Sequence, residues 1–183
     1  WQAGYYAHAI RTNPNRRMIA EELIKKEIRS WSSEVLERPS ENFGGLPPCP
    51  YAKRAWNEEK VGLRVTHDLQ TALRIKHGEP IAKDGVEVIA WTAWDDMSAE
   101  QFDQWIDEQN EDHNGVWMIG FHPDHPVDDL QDEFEGNDCP EYAVILVQPL
   151  SDLSAASKRI LKKGYYQRYS TEDMNHVNWR NAQ

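Results

Sequence analysis

The chain has 183 residues, of which 39% are hydrophobic and 28% charged, a balance typical of a globular protein rather than a disordered one. Acidic residues outnumber basic ones by 31 to 20, and the formal net charge of −11 would repel phosphate backbones and anionic lipids, so we expect no nucleic-acid partner. The apolar runs fall well short of the roughly 20 residues that a membrane-spanning helix needs, so we expect no membrane segment.

The length predicts one domain over residues 1–183. Within it we expect a helical extension over 1–40, an α/β core over 41–164 and an irregular tail over 165–183. The 2 cysteines, Cys49 and Cys139, are too few for a disulfide scaffold and form no CxxC pair. A reducing, cytoplasmic location is therefore expected, without a bridge between the two thiols.

The first predicted element is a helix within residues 13–39. Asn13 can cap it and Pro14 suits its first turn. Its apolar residues fall at helical spacing: Ile24, Ile28, Trp31 and Val35. The charged opposite side predicts a helix that packs on a core through one face.

Two strands and a short helix follow. Residues 61–66 alternate as a strand does, and residues 86–94 are β-branched and aromatic, which favours a second, central strand. Between them Asp68 can cap a helix that ends at Gly78.

The second half of the chain begins with the best-marked helix. Ser98 and Gln101 form a capping-box pattern, and Gly115 marks the end. Strands are predicted over residues 116–121 and 142–148, and the segment of about twenty residues between them is rich in acidic side chains; its length favours a functional or mobile loop. A closing helix is predicted over residues 151–164.

Strands that alternate with helices predict an α/β fold with a mixed or largely parallel four-stranded sheet and flanking helices. A ferredoxin-like α+β plait is the alternative. In open α/β sheets ligands bind beyond the carboxyl ends of the strands. If the first three strands are parallel, seven polar residues gather there: His67, Asp68, Asp95, Asp96, His122, Asp124 and His125.

The stretch IGFHPDHPVDD, residues 119–129, contains the strongest candidate site. His122, Asp124 and His125 lie within four residues, and Pro123 and Pro126 each follow one of the two histidines. A loop stiffened by prolines loses less conformational entropy on binding a cation or a substrate.

Cys49 is the second candidate. It precedes a possible helical turn in PPCPYAKRAW, where backbone amides and the nearby Lys53 and Arg54 would favour thiolate over thiol. Alternatively, Cys49 has no chemical role and is buried as a small apolar side chain.

With these motifs, the chain resembles a family of uncharacterised bacterial proteins marked by Cys-Pro-Phe-Ala and, downstream, Phe-His-Pro-Asp. The counterparts are CPYA at 49–52 and FHPD at 121–124, and the shared order covers residues 45 to 160. The resemblance implies that Cys49, His122 and Asp124 belong together. This chain has Cys139 where the family has serine in an Asn-x-Ser-Pro element, and His125 where an aromatic residue is usual.

Three functions are compatible with these residues. In a metal-dependent enzyme acting on a small molecule, His122, His125 and Asp124, with Cys49 as a further ligand, would hold a transition metal. Two imidazoles and a carboxylate suit iron, whereas an added thiolate favours zinc or copper.

In a metal-free thiol enzyme, Cys49 would be the nucleophile, His122 its acid or base and Asp124 the residue that orients the imidazole. In a non-catalytic interaction module, the eight tryptophans and the acidic segment 128–138 would contact a partner. The sequence leaves the reaction, the substrate and the oligomeric state open.

Overall fold

Four strands form one mixed sheet in a computed structural model, which describes residues 14–79, 81, 85–125 and 141–183. They are β1 (Val61–Thr66), β2 (Val86–Trp91), β3 (Val116–Phe121) and β4 (Ala143–Pro149), in the spatial order β1-β2-β4-β3. β1 and β2 are parallel, and β4 is antiparallel to both β2 and β3. The predicted mixed α/β sheet is confirmed, and the ferredoxin-like alternative is not.

Six α-helices accompany the sheet in the described residues. They are α1 (Pro14–Trp31), α2 (Ala52–Asn57), α3 (Gln70–Lys76), α4 (Ala99–Glu111), α5 (Leu150–Leu161) and α6 (Thr171–Ala182). A π-helical turn, Ser32–Leu36, extends α1. The predicted Ser98–Gln101 capping box is present at the start of α4.

One side of the sheet, here called face A, packs against α3 and α4. Strand residues alternate in direction, so alternate residues of β2, β3 and β4 enter this core. Its buried members include Ile89, Met118 and Ile145 from the strands, with Ile75 from α3 and Phe102 from α4.

The opposite side, face B, packs against α1. Ile24, Ile28 and Trp31 of α1 contact the alternate strand residues Val88 and Val144. A smaller apolar cluster of Phe43, Ile160 and Tyr165 joins the loop after α1 to the end of α5. α1 covers only part of face B, because further apolar residues of the sheet on that side are only partly buried.

The C-terminal segment differs from the expected irregular tail. It contains α6, which begins with a second capping box formed by Ser170 and Asp173. Val177 and Arg180 are its buried residues. Among the described residues, none of the helices is long and apolar enough to cross a membrane.

Candidate functional site

The ring of His122 is buried at the end of β3, on face A, with 1% of its surface exposed. It lies 5.3 Å from the Trp94 ring and 5.5 Å from the Phe102 ring, measured between centroids. Its Nδ1 accepts a hydrogen bond from the backbone N–H of Asp124 at 3.1 Å. The proton is therefore assigned to Nε2, which contacts the carbonyl oxygens of Trp94 at 3.3 Å and Met97 at 3.2 Å.

The ring of His125 is also held through both nitrogens. Its Nδ1 accepts from the backbone N–H of His122 at 3.1 Å. Its Nε2 lies 2.8 Å from a carboxylate oxygen of Asp103 in α4, to which it donates. In this arrangement neither imidazole has a free lone pair for a metal or for a proton, since each ring has one nitrogen accepting and the other donating.

The other polar residues lie at the same end of the sheet as these rings. Because β1, β2 and β3 run in the same direction, the expected gathering at one edge is present. Asp68 accepts from the backbone N–H of Gln70 at 2.9 Å and caps the start of α3. The side chains of His67, Asp95 and Asp96 are exposed.

Cys49 and His122 lie on opposite sides of the sheet. Cys49 is in the loop between α1 and α2 and lines a cleft on face B, whereas His122 packs against Phe102 on face A. In the part of the chain that the structure describes, no three His, Cys, Asp or Glu side chains form a group able to hold a metal ion. The rings of His122 and His125 lie 5.8 Å apart between centroids, but Cys49 is across the sheet, so the four expected ligands Cys49, His122, Asp124 and His125 do not form one site.

The environment of Cys49 changes its pKa in the direction opposite to that expected. Its backbone N–H donates to the carbonyl of Leu36 at 3.0 Å. Burial raises the pKa of the Cys49 thiol, and the charge of Glu37 adds to the increase, while backbone hydrogen bonds from Tyr51 and Ala52 act against it. The expected amides are present, but burial has the larger effect, so the thiol form is favoured.

The cleft has a volume of about 1800 Å³, and it extends from face B around the edge of β3 to Asp103, Ile106 and Asn110 of α4. Its floor is the part of the sheet that α1 leaves uncovered. The apolar floor residues are Val61, Val86, Val88, Ile119, Phe121 and Leu146. Most of these are only half-buried, so the cleft presents apolar surface to a ligand.

Aromatic and polar side chains form one wall of this cleft. The Tyr165 hydroxyl donates to the carbonyl of Pro48, beside Cys49, and the Tyr169 ring lies 6.1 Å from the Tyr165 ring. Burial raises the pKa of Tyr169 to about 12 and that of Tyr165 as well, so both hydroxyls stay protonated. Tyr169 in turn interacts electrostatically with Arg180 of α6.

Sequence reasoning missed this wall because it treated the tail as irregular. The S-x-x-D pattern at Ser170–Asp173, followed by Met174, Val177 and Arg180 at helical spacing, was the available signal. This pattern predicts an amphipathic helix in the tail, with a cation on its apolar side.

The free edge of β3 is closed to a further strand. In an antiparallel pair, alternate residues direct their backbone groups away from the partner strand. Asn110 of α4 bonds to both outward groups of Met118, accepting from its N–H and donating to its C=O, each at 2.9 Å. His125 accepts from the outward N–H of His122, which leaves Gly120 between two occupied positions. Addition of a peptide strand at this edge is therefore disfavoured.

Cys139, the element 137–140 and the acidic segment 128–138 lie outside the described residues. Comparisons with protein-family models, with curated proteins and with solved structures found no match to the chain. The resemblance carried by CPYA and FHPD is a prediction from those motifs alone.

Proposed function

We propose that this protein binds a small organic molecule with a large apolar surface in the cleft on face B. The observation that carries the proposal is the half-buried apolar floor, in which Val86, Ile119 and Leu146 line the cleft. A ligand that removes apolar surface of this kind from water is stabilised by about 25 cal/mol per Å² of buried surface.

The arrangement at the other end of the sheet favours binding over metal chemistry. Both imidazoles, His122 and His125, are engaged through both ring nitrogens. A metal ligated there would have to break at least one of these hydrogen bonds. The loop with the two histidines thus has a structural role in this proposal, and it ties β3 to α4 and to the segment before α4.

The proposal is tested by filling the cleft. Leu146→Trp places a large side chain on the floor, and Gln104→Trp makes the same kind of change at an exposed position of α4, on the other side of the sheet. The fluorescent probe 8-anilinonaphthalene-1-sulfonate should bind the native protein and the Gln104→Trp variant saturably, and Leu146→Trp should lose most of the signal. Equal binding by all three proteins, or no saturable binding, would contradict the proposal.

A thiol reaction within the same cleft is the second candidate, and one observation favours it. Cys49 lines the cleft next to the Tyr165 wall, so a bound molecule would lie against its sulfur. In this version His122 takes no part, because it lies on face A. A cleft-binding probe that protects Cys49 from alkylation would support it, and an unchanged alkylation rate would count against it.

A further inference from the structure

We propose that Arg180 binds the carboxylate of the ligand, so that the cleft accepts an apolar monocarboxylate with its charged end at α6. This inference rests on the proposed function, since it names the class of molecule that the cleft would take. Arg180 is a buried cation that forms no ion pair with a carboxylate of the described residues.

Arg180 is only 8% exposed. Its Nη2 donates to the hydroxyl of Ser157, a buried residue of α5, at 2.6 Å, and its Cζ lies 6.0 Å from the centre of the Trp117 ring. Its Nε is buried and has no hydrogen-bond partner. An aromatic face and a hydroxyl together compensate only part of the cost of burying a guanidinium.

No carboxylate in the described ranges forms an ion pair with Arg180. Asp173, two turns earlier on the same helix, accepts from the N–H and the hydroxyl of Ser170 and so caps α6. Buried charges in proteins are normally paired, and an unpaired one leaves its desolvation cost uncompensated. The guanidinium is thus unpaired among the described residues, and the carboxylate of a bound ligand would supply the missing charge.

The position of Arg180 determines where such a partner would bind. Arg180 lines the cleft together with Trp117, at the side of β3, and the apolar floor extends from there across β4 and β2 to Val61 in β1. Three interstrand spacings, about 14 Å, separate the two ends. A molecule with a carboxylate at one end and an apolar body of about this length matches both the charge and the floor.

Decanoate and 1-decanol test the inference in the native protein, because they share the apolar chain and differ in charge. Isothermal titration calorimetry should give decanoate an affinity at least about tenfold higher than 1-decanol, the ratio expected from one hydrogen bond to a charged group. Arg180→Met should remove this preference for decanoate over 1-decanol, whereas Arg180→Lys should keep part of it. Arg74→Gln, which removes an exposed arginine of α3, is the matched control.

The outcomes separate this inference from the proposed function. Equal affinities for the two compounds, with both lost in Leu146→Trp, would overturn the role of Arg180 and leave the cleft as a binding site. Failure of both compounds to bind the native protein would count against the carboxylate class, and binding of the fluorescent probe would then still decide the proposed function. The native-protein comparison also decides the case if Arg180→Met does not fold.

Discussion

Replacing His122 with alanine separates a structural role of the ring from a catalytic one. The substitution removes the donor shared by the carbonyls of Trp94 and Met97, and an orphaned buried acceptor costs about 1–3 kcal/mol. It also leaves a cavity beside Phe102. By comparison with other large-to-small substitutions, this cavity should lower the free energy of unfolding by about 2 kcal/mol. The expected loss in the free energy of unfolding is about 3–5 kcal/mol.

Urea denaturation followed by far-UV circular dichroism measures this loss. In a protein of this size it corresponds to a fall in Tm of roughly 6–20 °C. His122→Gln should recover part of it, because its side-chain amide can donate to the same carbonyls. Asp124→Ala, at an exposed position of the same loop, should change stability by less than about 0.5 kcal/mol. A His122→Ala variant as stable as the native protein would refute the reasoning, since catalytic residues often contribute little to stability or reduce it.

Burial raises the pKa of the Cys49 thiol above its ordinary value of 9.0. Alkylation of Cys49 by iodoacetamide should therefore be slow at neutral pH and should reach half its maximal rate above pH 9.0. A half-maximal rate below that pH would contradict the buried environment of the thiol. Asn110→Leu should lower the free energy of unfolding by about 2–4 kcal/mol, because it leaves two buried backbone groups of Met118 without a hydrogen-bond partner. Gln104→Ala, on the exposed side of α4, should leave the free energy of unfolding unchanged. Equal urea midpoints for the two variants would count against the contact between Asn110 and the edge of β3. Added zinc should leave Tm unchanged, because His122 and His125 have no free nitrogen, and a rise in Tm would favour the metal-dependent alternative.

Local patterns in the sequence located most elements. The strands at 61–66 and 116–121 have the predicted bounds, because apolar alternation and the flanking turn residues are local signals. β2 ends at Trp91 rather than at residue 94, since Trp94 starts a short 3-10 helix. The order of the strands was not predictable in this way, because β4 inserts between β2 and β3 through pairing between distant parts of the chain.

The candidate site, like the fold, could be predicted from the sequence only in part. The sequence predicted that β1, β2 and β3 end at one edge if they are parallel, and they are; a functional role of His122 stays a prediction. The sequence could not show that the ring is satisfied by backbone groups of a neighbouring loop. Nor could it show that the sheet separates His122 from Cys49, since the side of the sheet that the loop before α2 would occupy depends on how that loop returns to β1.

The most direct test of the account is a map of backbone amide chemical shifts in the protein titrated with decanoate. We expect the shifts to change at the cleft on face B, at residues such as Val88, Leu146 and Tyr169, and to stay constant around His122. Changes centred on His122 and Phe102, with the cleft unaffected, would place the ligand on face A and contradict the account.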